Sequence, residues 1–161
     1  SMINPIGLGR FSMLETLSMR NDLKEGASRP FDRLRDGMVL GEGSAAIVME
    51  SLENAQRRKA HIYAEVVGYG SSLDAYRIPI SSSKSMLGHT IAAAGAIEFV
   101  ATVMSVKSGI IPPTINLINP DPMCDLDYVP LIARKADVKI ALSNSFGFGG
   151  QNSTLICRKI K

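Results

Sequence analysis

Only two cysteines and two histidines occur in 161 residues. Cys124 and Cys157 form neither a C-x-x-C pair nor a disulfide framework, which excludes a disulfide-stapled module and points to a reducing compartment. Together with His61 and His89 they offer no metal-ligand spacing, so no catalytic metal is expected. Charge of one sign is scarce too: 18 Lys and Arg stand against 15 Asp and Glu, a net +3 with no basic stripe, which argues against nucleic acid. Long hydrophobic runs are missing. The longest, Ile91 to Met104, is interrupted by Glu98 and reads as too short to span a bilayer. The start, Ser1-Met2-Ile3-Asn4-Pro5, lacks the charged and apolar regions of a signal peptide, so neither membrane nor export is expected. There is no internal repeat. What is there, 45% hydrophobic and 20% charged residues, suits one soluble globular domain with a moderate core.

Periodicity predicts a short amphipathic helix over 8–19, a turn-rich loop over 26–37, a strand over 45–49, a polar helix over 51–59 and a strand over 62–67. A small-residue helix is expected over 90–108, with Ile91, Ala94, Ile97, Ala101 and Met104 on its packed face. Five prolines, Pro112, Pro113, Pro120, Pro122 and Pro130, make 111–131 an irregular excursion. Strands over 138–143 and 153–158 follow, joined by the turn Gly147-Phe148-Gly149-Gly150. Helices alternating with strands, closed by a hairpin, indicate an α/β layered domain with a mixed sheet.

Several motifs fail on context. Gly41-Glu42-Gly43-Ser44-Ala45-Ala46 has G-x-G-x-x-A spacing, but strand-like Ile47-Val48-Met49 follows it, so a phosphate would meet no helix N-terminus. Ser83-Lys84-Ser85 lacks the glycines of a phosphate loop. Asp125-Leu126-Asp127 lacks a third oxygen ligand and has Pro130 where a calcium loop needs glycine. His61, beside the basic run Arg57-Arg58-Lys59, reads as a surface residue.

His89 stands apart. The stretch Ser81 to Thr90 ends a strand, carries Lys84 and delivers an imidazole to a helix N-terminus, where α/β proteins place chemistry. A lone histidine is more often structural, and that alternative stands. Asn144-Ser145-Phe146-Gly147-Phe148-Gly149-Gly150 is a second such loop, in which glycines let backbone approach a ligand and Phe148 act as a hinged lid; the alternative is a plain hairpin turn.

In order with these segments the chain also carries Leu17-Ser18-Met19-Arg20-Asn21-Asp22, Ser28-Arg29-Pro30-Phe31-Asp32, Arg35-Asp36-Gly37, Pro112-Pro113-Thr114-Ile115-Asn116-Leu117 and Cys124-Asp125-Leu126-Asp127-Tyr128-Val129-Pro130. Together they resemble the C-terminal half of an elongating β-ketoacyl-acyl-carrier-protein synthase. The resemblance covers essentially the whole chain, 1–161. It implies the thiolase-like layered fold, α-β-α-β-α when complete, usually as a homodimer. It implies decarboxylative Claisen condensation of an acyl thioester with malonyl carrier protein in fatty acid biosynthesis, with no soluble cofactor. By resemblance His89 is the second catalytic histidine, Lys84 the site lysine, and Glu98 a buried supporting carboxylate. Phe146, Gly147 and Phe148 form the acyl-pocket gate and oxyanion region, and Ser143, Asn144 and Glu98 lie near a structural cation site of some members. The implied partner is acyl carrier protein bearing acyl and malonyl thioesters, and the compartment cytoplasmic, or else organellar.

The departures are as informative. The family's nucleophilic cysteine would precede this chain, and its first catalytic histidine belongs to a segment absent between Ile78 and Pro79. Loss of an interior strand there would leave an open sheet edge. The resemblance therefore implies part of an enzyme rather than the whole. The alternatives are a non-catalytic thiolase-fold partner that binds carrier protein or an acyl chain, with Arg57, Arg58 and Lys59 as part of a docking patch, and an inactive fragment.

Overall fold

The computed structural model describes residues 3–70, 79–147 and 149–160. Chain contacts divide the expected single domain into two units: one formed by 1–43, 75–94 and 111–134, the other by 44–74, 95–110 and 135–161.

The first unit is mostly irregular. Its helix α1, Pro5–Met13, starts where Asn4 accepts the Gly7 N–H at 2.8 Å and proline takes the first helical position. That cap places α1 earlier than the apolar spacing had suggested, and it ends before the predicted Met19. A 3₁₀ segment follows over Asn21–Gly26, and the four-residue helix α3 spans Lys84–Leu87. Between these the chain is tied by parallel bridges, Leu17 to Met38, Leu40 to His89 and Thr114 to Pro130. As the prolines foretold, the path from Thr114 to Leu131 forms no strand of its own, and side chains take over its backbone pairing.

Asp32 is the centre of that pairing. It is fully buried and accepts the N–H groups of Leu34, Ile118 and Asn119 at 2.8–2.9 Å, with Arg29 at 3.5 Å. Burial pushes the Asp32 carboxyl up, but those three N–H donors and the Arg29 charge outweigh it and hold it below the ordinary aspartate value. Nearby, Phe31 stacks on Tyr128 at 3.9 Å and Arg35 pairs with Asp121 at 2.7 Å.

The second unit is regular. Helix α2, Leu52–Arg57, is capped by Ser51, as expected from the polar pattern. Strands β1 (Glu65–Gly70), β4 (Ile140–Phe146) and β5 (Asn152–Arg158) form an antiparallel sheet in the order β1-β5-β4. The hairpin register runs from Ile140 opposite Arg158 to Phe146 opposite Asn152, closed by the Gly147 N–H on the Gln151 carbonyl at 2.7 Å. A bulge between Val66 and Gly68 interrupts β1 against β5. Among the described residues, β1 and β4 each have one edge that no strand covers. Short strands β2 (Ile110–Ile111) and β3 (Arg134–Lys135) form a separate ladder.

Helix α4, Ala94–Ser108, packs on the sheet through Phe99 and Val106, which bury Cys157 with them; Ala64, Val103, Val138 and Ala141 surround this cluster. The packed face is thus the one carrying residues 99, 103 and 106, not the predicted one, from which Met104 is exposed at 44%. Alanines at 94 and 101 weaken that predicted stripe, and the bulkier Phe99 sets the rotation. With the 3₁₀ turn Ile91–Ala93, the helical run reaches 18 residues at mean hydropathy 1.4, so length and composition alone do suffice to cross a bilayer, contrary to the expectation. Phe99 and Val106 in this run are buried with Cys157, while 22% of the run as a whole is buried.

Two further expectations change. Residues 45–49 form no strand: Val48 is 91% exposed and nothing among the described residues pairs with them. The strand expected over 62–67 begins at Glu65, where β5 supplies hydrogen-bond partners.

Candidate active site

Lys84 and His89 lie in the first unit and line one cleft of about 500 Å3, together with Ser28, Arg29, Arg35, Asp36 and the stretch Gly37 to Val39. The cleft is built by backbones laid side by side. The His89 N–H donates to the Val39 carbonyl at 2.6 Å, and the Gly41 N–H to the His89 carbonyl at 3.0 Å. Gly41 makes this approach possible, since a Cβ there would sit 1.9 Å from the Leu87 carbonyl oxygen. Gly88, at φ 67°, faces it with a would-be Cβ 2.8 Å from the Val39 oxygen. The G-x-G stretch is therefore a close-packing strap beside His89, in keeping with its rejection as a nucleotide loop.

The imidazole is oriented as the helix-terminus argument expected. The Ile91 N–H, one of the orphan donors at the start of the helical run, donates to His89 Nδ1 at 3.0 Å. Because the backbone must be the donor, Nδ1 is the acceptor, and a neutral His89 carries its proton on Nε2. Ile91 holds this position at φ 52°, a left-handed conformation costly for a β-branched residue and sustained by its surroundings. Across the cleft, Asp36 accepts the Ser18 hydroxyl at 2.6 Å and the Met19 N–H at 2.9 Å; these bonds outweigh its partial burial and hold its carboxyl below the usual range.

Lys84 opens α3, a helix too short to persist without tertiary contacts. Its carbonyl accepts the Ser28 hydroxyl at 2.6 Å and the Gly88 N–H at 2.9 Å. Ser85 donates to the Ser82 carbonyl and accepts the Ile115 N–H at 3.0 Å, while buried Thr114 accepts the Ser82 N–H at 3.1 Å. Sequence reasoning quoted these residues in motifs without giving them a role. The available signal was Pro112-Pro113-Thr114-Ile115-Asn116, where prolines prevent a ladder and Thr and Asn side chains supply the missing bonds.

The other predicted site residues lie in the second unit. Glu98 sits on α4 and is half-buried rather than buried. Phe146, at the end of β4, is 77% exposed, Gly147 begins the turn, and Phe148 lies outside the described residues. Ser143 and Asn144 are consecutive on β4 and so present side chains to opposite faces. Asn144 Oδ1 already accepts the Thr154 hydroxyl at 2.7 Å. A cation held by this pair and Glu98 would need a backbone oxygen from one of them. His61 is exposed, as expected, and contacts Lys107 Nζ at 2.6 Å beside Tyr63. Arg57 donates to Asn54 and Arg58 pairs with Glu50, so two cations of the suggested docking patch are engaged by their own neighbourhood.

The chain matches known proteins along nearly its whole length. Residues 1–55 match the family described as "Beta-ketoacyl synthase, N-terminal domain", and 60–118 match "Beta-ketoacyl synthase, C-terminal domain". It is 38% identical to 3-oxoacyl-[acyl-carrier-protein] synthase 2 of Coxiella burnetii, over 97% of this chain and 52% of that protein. It is also 38% identical to a putative mitochondrial 3-oxoacyl-[acyl-carrier-protein] synthase of Schizosaccharomyces pombe, over 99% and 53%. The Coxiella alignment runs over 216 positions although this chain has 161 residues, so the relative contains residues this chain lacks.

Among solved structures, a beta-ketoacyl synthase from Burkholderia phymatum superposes with a TM-score of 0.88 at 31% identity, covering 99% of this chain and 53% of that one. A type II polyketide ketosynthase solved with its acyl-carrier protein gives 0.90 at 31%, covering 100% and 54%. The fold is therefore thiolase-like, and the chain spans about half the length of the curated relatives it matches. From the strap beside His89 to the closing hairpin, this chain belongs to the beta-ketoacyl synthase family.

Proposed function

We propose that the chain is the part of a 3-oxoacyl-acyl-carrier-protein synthase that holds the malonyl thioester during decarboxylation. The observation that carries this reading is the Ile91 N–H on His89 Nδ1, which makes Nε2 the proton-bearing nitrogen of a neutral imidazole that lines one cleft with Lys84. As the carboxylate leaves as carbon dioxide, the electron pair of the broken C–C bond moves onto the thioester carbonyl, whose oxygen gains negative charge. A fixed N–H donor stabilises that charge without reorganising, the largest electrostatic contribution in acyl chemistry. Lys84 adds a positive charge to the same cleft.

The resulting enolate carbon then attacks an acyl thioester on a cysteine that neither Cys124 nor Cys157 supplies, and the thiolate departs. Cys157 is buried, and its burial pushes the thiol up, the reverse of an activated nucleophile. Phe146, Gly147 and Phe148 would gate the acyl pocket, and Glu98 would support the site. The family's further catalytic groups would lie in a segment between Ile78 and Pro79 and in another part of the protein, a reading in keeping with relatives of which this chain spans about half. The partner is acyl carrier protein, the working unit a homodimer, and the compartment the cytoplasm, with an organelle as the other setting that the relatives' names suggest. No soluble cofactor enters this scheme.

The test is carbon dioxide release from malonyl carrier protein by the full protein that carries this sequence. His89→Ala is expected to lower the rate by about 10²–10³, the cost of one oxyanion donor. Unchanged release would refute the assignment.

A further inference from the structure

Resting on that reading, we propose that Ser28 is a positioning residue for Lys84 and His89, and that Asn116 holds Ser28 in place. Helix α3 has four residues, and its N-cap, Ser83, makes no side-chain capping bond, so a single turn must be oriented by the rest of the chain. Long-range bonds do so: the Ile115 N–H on Ser85 and the Ser82 N–H on Thr114 tie its start, and the Ser28 hydroxyl, at 2.6 Å across 56 positions of sequence, is the side chain that takes the Lys84 carbonyl itself. The same carbonyl takes the Gly88 N–H, the last step before His89, so one oxygen joins Ser28, the lysine and the histidine turn. Ser28 is fixed from behind: Asn116 Nδ2 donates to the Ser28 carbonyl at 2.9 Å and to the Glu25 carbonyl at 2.8 Å. Asn116 itself sits at φ 66°, a left-handed conformation that asparagine tolerates. The chain of contacts runs Asn116, Ser28, Lys84 carbonyl, Gly88, and it lies within the first unit. Its effect falls on aim rather than on binding, because Ser28 acts through the backbone of Lys84.

The experiment uses the full protein and decarboxylation of a malonyl thioester. Ser28→Ala is expected to lower kcat about tenfold with KM changed less than about twofold, the thermal midpoint moving by less than about 4 °C. Ser28→Thr, which keeps the hydroxyl, is expected to recover most of the rate. A lowered midpoint with full kcat, or Ala and Thr variants of equal activity, overturns the proposal. Asn116→Gly keeps the left-handed backbone and removes the amide; it is expected to lower kcat about threefold with the same split, and it decides the matter if Ser28→Ala does not fold. If His89→Ala is inactive while Ser28→Ala and Asn116→Gly keep full kcat, only the positioning role fails. If His89→Ala retains full activity, the functional reading itself fails.

Discussion

The two units are held together by different forces. In the second, Phe99, Val106 and Cys157 make an apolar cluster under an antiparallel sheet. In the first, Asp32, Thr114 and Ser85 are buried alongside Arg29 and the apolar Ala27, Leu117 and Val129, and a hydrogen-bonded network of polar side chains runs through that interior. Apolar packing tolerates small shifts, whereas a network of fixed donors and acceptors specifies angles. The pair proposed for catalysis, Lys84 and His89, sits in the unit that specifies angles.

The contrast can be broken from either side. Phe99→Ala should cost about 3–5 kcal/mol, read as a shift of the urea midpoint, because it leaves a cavity in the apolar cluster. A loss below about 1 kcal/mol would mean that α4 and the sheet do not depend on it. Asp32→Ala should cost nearly as much, about 2–4 kcal/mol, since Arg29 and three N–H groups lose their acceptor inside the protein. A neutral result would show that the polar network is ornamental.

Acid should separate the units. The folded-state values of Asp32, Asp36, Asp121 and Asp127 all lie below the ordinary 3.8, so their contribution is present above that pH and is lost as pH falls through the depressed values. Hydrogen exchange at Ile118 and Asn119, which donate to Asp32, should therefore lose protection below pH 3.8 while β4 and β5 amides keep theirs. Simultaneous loss would argue for one cooperative block. Smallest of all, Glu65→Gln removes the partner of Arg158 at a half-exposed surface pair and should cost under about 1 kcal/mol by the same denaturation measurement.

The same contrast explains what could be read from sequence. The hairpin, α2 and the 91–108 helix follow from periodicity and capping residues, and all three are found with shifted ends. Periodicity misjudged which face of α4 packs, because it weighs an alanine stripe against the sheet without knowing where the bulky Phe99 meets it. It also proposed a strand at 45–49, where β-branched residues exist but no partner strand does among the described residues. In the first unit little periodicity exists to read. His89 and Lys84 were singled out from an expected strand-to-helix setting and from family motifs; both line one cleft, but among the described residues no strand leads into α3. Ser28, Asn116 and Asp32 were not, since their role is a set of bonds across distant positions that no local pattern encodes.

The sheet's two uncovered borders bear on handling the polypeptide. β1 and β4 flank β5 and leave rows of amide and carbonyl groups unclaimed among the described residues, while Tyr69 on β1 and Ile140 and Phe146 on β4 stay mostly solvated. Such borders recruit any extended segment they meet. Prepared by itself, this stretch would be prone to self-association and early proteolysis, and its solubility would be set by whether a co-expressed polypeptide reaches those borders first.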